Sequence, residues 1–158
     1  MPSKIKTLTQ LKKITANLKR RGKKIVFTNG CFDILHYGHI KYPEKASKYG
    51  DILIIGLNSD SSIKRIKGSR RPLNPEKYRA YILSAISFID YIVIFGQDTP
   101  YNLISALRPD ILVKGGDWHK NKIVGSGIVK QYGGKVLTIP YVKNLSTTKI
   151  LKKITAIG

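Results

Sequence analysis

Cysteine is nearly absent from this 158-residue chain: Cys31 stands alone, so no internal disulfide can form, and a reducing compartment, the cytoplasm, is expected. No apolar run approaches the ~20 residues needed to span a bilayer, and the N-terminus lacks the short apolar core of a secretory signal. Acidic residues are scarce as well. Nine Asp and Glu face twenty-nine Lys and Arg, for a formal net charge of +20, and none of the acids lies in the first 32 residues. Such a field attracts nucleotides, nucleic acids and acidic surfaces alike without choosing among them. A Walker A loop is missing, as is a G-x-G-x-x-G after the first predicted strand, which weighs against kinase, GTPase and dehydrogenase readings.

What remains has a globular composition, 42% hydrophobic and 9% aromatic, and a length that suits one domain with a single substantial core. Much of the basic excess reads as lysine-rich surface, and nucleic-acid binding is not expected as the main role. Residues 1–22 are basic and acid-free, as in a transit peptide. Leu8, Leu11, Ile14 and Leu18 nevertheless mark one helical face, and the segment runs into the first strand without a linker, so a helical extension packed on the domain is expected.

Beyond it, strands alternate with helices. Strands are expected at 24–29, 51–58, 90–95, 110–114 and 135–140, and helices at 38–49, 75–87, 99–107, 122–132 and from Ser146 to about Thr155. The 99–107 helix is expected to be capped by Asp98 or Thr99 ahead of Pro100. Residues 59–74 are polar, basic and carry Gly68 and Pro72, which predicts a long loop opening with a short helical turn. Strands dense in Ile, Val and Leu, separated by single helices, predict a Rossmann-like five-stranded parallel sheet with helices on both faces, an α/β class.

Three clusters carry chemistry. His36 and His39 flank Gly38 where the first strand hands over to a helix, so both rings can address one group bound at the helix N-terminus. Their residue types also allow a structural pair, or a zinc site completed by Cys31 or His119, although the usual i, i+4 histidine spacing is missing. Lys64, Arg65, Lys67, Arg70 and Arg71, followed by Arg79, form a basic cluster able to clamp a triphosphate, or simply a solvated surface. Ser146, Thr147 and Thr148 open the last helix, where hydroxyls cap free N–H groups or hold phosphate oxygens. Between these clusters, Lys114-Gly115-Gly116-Asp117-Trp118 ends the fourth strand. It is either a flat pocket with a stacking indole or an ordinary glycine turn over a core tryptophan.

His36-Tyr37-Gly38-His39 resembles the H-x-G-H signature of the cytidylyltransferase-like nucleotidyltransferases, and Leu145-Ser146-Thr147-Thr148 resembles their C-terminal I-S-T-T element. The passages at 28–33, 58–60, 64–68, 71–75, 98–100 and 114–117 are most similar to the adenylyltransferase domain that acts on D-glycero-β-D-manno-heptose 1-phosphate. Glycerol-3-phosphate cytidylyltransferases are the nearest neighbours, but Asn29 and Cys31 depart from their pattern, as does the stretch 141–144.

The resemblance implies transfer of an adenylyl group from ATP, accompanied by Mg²⁺, to a sugar 1-phosphate. By it, His36, His39 and Lys67 are catalytic. Asn29, Gly30, Cys31, Phe32, Gly38, Arg79, Gly115, Asp117, Ser146, Thr147 and Thr148 hold the nucleotide, with Lys67 and Arg79 on its β- and γ-phosphates. Asp33, Lys114 and Trp118 contact the acceptor, and no protein side chain is assigned as a metal ligand. A homodimer is expected, with the sugar-kinase step on a separate chain.

Overall fold

The computed structural model describes residues 2–116, 122–140, 142 and 146–157. Five strands form one sheet: β1 (Ile25–Gly30), β2 (Ile52–Asn58), β3 (Tyr91–Phe95), β4 (Ile111–Gly115) and β5 (Lys135–Ile139). They lie in the order β3-β2-β1-β4-β5, and every pairing is parallel. Alternation along each strand sends side chains to opposite faces, so Ile25 and Phe27 enter one core while Val26 enters the other.

The first core is closed by Leu11 of helix α1 (Leu8–Arg20), Leu103 and Ile104 of α5 (Tyr101–Leu107), and Val129 of α6 (Ser126–Gln131). The second is closed by Ala46 of α2 (Tyr37–Ser47) and by Ala80 and Leu83 of α4 (Glu76–Ser84). Helices thus cover both faces, as the apolar strands require. The chain winds outward from β1 in both directions, so the carboxyl ends of β1 and β4 form the topological switch point where ligands collect in open α/β sheets.

α1 opens with a reciprocal capping box: Thr7 Oγ1 accepts from Gln10 N at 3.2 Å and Gln10 Oε1 accepts from Thr7 N at 2.9 Å. Its Leu11 is fully buried, with Leu18 packed beside the same core.

Three local expectations are corrected. Residues 59–74 contain a two-turn helix, α3 (Asp60–Lys67), rather than a brief helical turn. Ser59 caps it by accepting from Ser62 N, Asp60 lies at its positive end, and Lys64, Arg65 and Lys67 lie at its negative end. Second, α5 begins after Pro100 with no side-chain cap, because Asp98 is drawn away into an ion pair with Arg65 at 2.7 Å. Third, α6 starts at Ser126 rather than 122, because Gly125 has φ +83° and a Cβ there would come within 2.7 Å of Ile104.

The last helix, α7 (Thr147–Thr155), starts where expected: Ser146 Oγ accepts from Lys149 N at 3.2 Å.

Candidate active site

After β1 the chain must turn sharply into α2. Phe32 takes a left-handed conformation, φ +48°, and folds its ring back over Gly30, where any Cβ would come within 2.9 Å of it. Strain of this kind costs on the order of 1 kcal/mol and is held by the burial of Phe32. The turn delivers His36 to the N-cap of α2 in extended backbone, with its side chain making no capping bond.

The His36 imidazole instead stacks on that of His39, with 3.8 Å between ring centroids and 22° between planes. His39 Nδ1 lies 2.9 Å from the carbonyl of Ile34. A carbonyl only accepts, so Nδ1 carries the proton and Nε2 of the neutral ring presents a lone pair. Burial, reinforced by His36 and Lys67, pushes the His39 pKa down to about 4, and burial also lowers that of His36. Without a ligand both rings are therefore neutral at neutral pH.

Two cavities flank this pair. One, of about 380 Å³, is lined by Asn29, Gly30, Cys31 and Phe32 from the end of β1, by Lys114 and Gly115 from β4, and by Asn58, Ile66 and Ile123. The other, of about 400 Å³, is lined by His36, Gly38, Lys41 and Lys45 of the α2 region, Ile139 at the end of β5, and Ser146, Thr147 and Thr148. His39, Tyr42 and Lys67 line both. The strand-to-helix passage, the basic segment and the Ser-Thr-Thr helix start therefore converge on one place, although they are far apart in the chain.

The residues expected to hold the nucleotide are divided between these cavities. Asn29, Gly30, Cys31, Phe32 and Gly115 lie with Lys114 in the first, whereas Gly38, Ser146, Thr147 and Thr148 lie in the second. Lys114 is half-buried, its ammonium reaching Asn29 Oδ1 at 3.2 Å, and desolvation lowers its pKa. Asp117 and Trp118 fall outside the described residues.

Two expected site residues have other work. Arg79 lines neither cavity: it is 1% exposed, and its guanidinium donates to the carbonyls of Asn74, Cys31 and Asn58 and to the Asp60 carboxylate. A cation this buried must be satisfied internally, and four of its five N–H groups donate within the protein. Asp33, 3% exposed, also lines neither cavity. Its Oδ1 accepts from Leu73 N at 2.8 Å and Asn74 N at 2.9 Å, while Oδ2 lies 2.7 Å from Arg71 as an ion pair rather than an aligned hydrogen bond. Asp33 thus pins the segment after α3 against the histidine turn. Of the other cations in the basic cluster, Arg65 pairs with Asp98 and Lys64 and Arg70 are exposed. Lys67 alone of the cluster lines the cavities.

Tyr42 was not singled out in the sequence, yet its hydroxyl hydrogen-bonds with Thr28 and donates to the Val113 carbonyl at 3.0 Å, bridging β1 and β4 beneath His39. Its position three residues after His39 on the same helix face is the signal that would have found it.

A parallel sheet with a stacked histidine pair at its switch point, facing the Ser146-capped start of α7 across a cavity, defines a nucleotidyltransferase of the H-x-G-H type. The chain belongs to the cytidylyltransferase-like family, whose model matches residues 27–153. It is 55% identical over 152 residues to the bifunctional protein HldE of Geobacter metallireducens, covering 96% of this chain and 31% of that protein. The chain thus spans about a third of the length of the curated relatives it matches. Among solved structures it is similar to a lipopolysaccharide core biosynthesis protein from Thermoplasma volcanium, with a TM-score of 0.64 and 27% identity over 77% of this chain and all of that one. Pantoate-beta-alanine ligase from Francisella tularensis shares the fold, with a TM-score of 0.65 and 18% identity over 96% of this chain and 77% of that one. Among the described residues no helix is long and apolar enough to cross a membrane.

Proposed function

We propose that this chain transfers the adenylyl group of ATP to a heptose 1-phosphate, forming a nucleotide-sugar and releasing pyrophosphate. The observation that carries the reading is the meeting of two cavities at His39, Tyr42 and Lys67, one lined by the Ser-Thr-Thr helix start and the other by Asn29 and Lys114. The triphosphate lies along the second cavity, with its α-phosphorus at the histidine pair. The acceptor enters the first cavity, where Lys114 meets it, and Asn29, bonded to Lys114, stays on the nucleotide side.

An oxygen of the acceptor phosphate attacks the α-phosphorus, the new P–O bond forms as the bond to the bridging oxygen breaks, and pyrophosphate leaves with that electron pair. The attacking oxygen is already anionic, so alignment and charge neutralisation supply the catalysis and no general base is needed. His36 and His39 stabilise charge on the phosphate oxygens as it develops, and Lys67 neutralises the departing pyrophosphate.

Mg²⁺ would accompany the triphosphate and supply charge neutralisation there, with no protein side chain assigned to hold it. Among the described residues no three His, Cys, Asp or Glu side chains converge, and the carboxylates of Asp33 and Asp98 are paired with arginines. A homodimer in the cytoplasm, whose heptose 1-phosphate comes from a sugar-kinase step, belongs to the same proposal.

Pyrophosphate release tests it. ATP and CTP are each paired with heptose 1-phosphate and glycerol 3-phosphate; turnover is expected with ATP and the heptose, and preference for CTP with glycerol 3-phosphate would overturn the substrate assignment. Salt-sensitive binding to RNA or DNA with no turnover on any pair would overturn the reaction itself.

A further inference from the structure

We infer that Arg79 is a positioning residue, holding the Lys67-bearing helix α3 in register with the His36–His39 turn. This rests on the reaction proposed above, in which Lys67 and His39 act on one phosphate chain. The four acceptors of the buried guanidinium belong to three separate segments. Nη1 donates to Cys31 O at 2.6 Å, in the passage leading to His36, and to Asn58 O at 2.9 Å, at the end of β2. Nη2 donates to Asp60 Oδ1 at 2.7 Å, at the first residue of α3, and Nε donates to Asn74 O at 2.9 Å, at the end of the long connection.

Asn58 and Asp60 flank Ser59, the cap of α3, so the start of that helix is gripped from both sides. Glu76, one turn before Arg79 on α4, tightens the grip by accepting from Asp60 N at 2.7 Å. α3 is short and its other end is Lys67, about 10 Å away at 1.5 Å per residue. A tilt at the held end is therefore passed directly to the lysine that lines both cavities.

Stability alone does not explain this choice of residue. Burying a cation carries a desolvation penalty, and the one carboxylate beside it, Asp60, is a third exposed. What a guanidinium supplies that an apolar side chain does not is a rigid plane of donors pointing in several directions at once. Lysine keeps the charge but not the fan of directions.

The test is a double-mutant cycle in the full chain, reading pyrophosphate release. Arg79→Lys and Arg79→Met are each expected to lower kcat about 10²-fold, as misplacement by about 1 Å does. In a Lys67→Ala background, Arg79→Met is expected to cost little more, because the group it positions is already gone. Losses that multiply would overturn the inference, as would a kcat in Arg79→Lys equal to that of the wild type. Should both Arg79 variants fail to fold, Asp60→Asn, which loosens one arm at a partly exposed carboxylate, carries the same cycle with a smaller loss.

Hydrogen exchange gives a reading apart from catalysis. Amides of residues 60–67 are expected to exchange faster in Asp60→Asn and Arg79→Lys while β1 and β4 stay protected, and unchanged exchange there overturns the inference. If the wild type releases no pyrophosphate with any substrate pair, the proposed reaction falls and the exchange measurement decides the positioning role by itself.

Discussion

The His36 and His39 rings lie face to face, 3.8 Å apart, while the Nδ1 proton of His39 is committed to the Ile34 carbonyl. Burial, and for His39 the neighbouring ring as well, disfavours the imidazolium, so the pair in the free protein is neutral at neutral pH, and the bare Nε2 of His39 can donate to a bound anion only after taking up a proton. Anion binding and protonation are thereby linked at this site.

The first prediction concerns that proton. An NMR titration of the free protein is expected to place the His39 midpoint near 4, far below the 6.5 of an unperturbed histidine, and a non-hydrolysable ATP analogue is expected to raise it. Because the folded pKa is depressed, the unfolded chain binds the proton more tightly between pH 6.5 and about 4. This contribution to stability is fully present above pH 6.5 and is lost as pH falls toward 4. Urea midpoints measured across that window should decline in the wild type and decline less in His39→Gln.

Replacing either ring should strike turnover. His36→Ala and His39→Ala are each expected to lower kcat by about 10²- to 10³-fold, the usual cost of removing one donor to a charged transition state. Full activity in the double variant would remove both residues from the mechanism.

Separate cavities predict separable binding defects. Lys114→Ala should raise KM for the acceptor and leave KM for ATP unchanged, and Thr147→Val should do the reverse. Lys67→Ala, at the shared wall, should disturb both. Initial-rate kinetics with each substrate varied in turn distinguish these patterns, and an exchange of the two phenotypes would reverse the assignment of the cavities.

Asp33 is expected to matter through folding rather than contact with substrate. Asp33→Ala removes the acceptor of two backbone N–H groups and strands the Arg71 cation, which should cost roughly 3 kcal/mol in urea denaturation. Asp33→Asn, which keeps a carbonyl oxygen for the N–H groups, should cost less.

Much of this architecture was legible from local pattern. Apolar runs such as Ile52–Leu57 alternated with amphipathic or capped segments, and that alternation specifies a parallel sheet covered on both faces. α3 was underestimated because only Ile63 and Ile66 are apolar within it, so periodicity was weak and its cap and end charges carried the signal. The late start of α6 turned on the positive φ of Gly125 and its contact with Ile104, and the latter depends on packing against another helix.

The sequence by itself determined two local features of the candidate site: a glycine turn with two histidines after a buried strand, and hydroxyls at a helix start, which are short-range features with short-range physical causes. Which charged residues line the cavities beside those features was decided only by tertiary structure. Lys67 and Arg79 look alike as basic residues near a predicted loop, yet one lines both cavities and the other is enclosed by Cys31, Asn58, Asp60 and Asn74. The reason is that the free energy of a charge is set by the solvent and partners around it, and for Arg79 those partners are drawn from three segments that meet only when the chain folds.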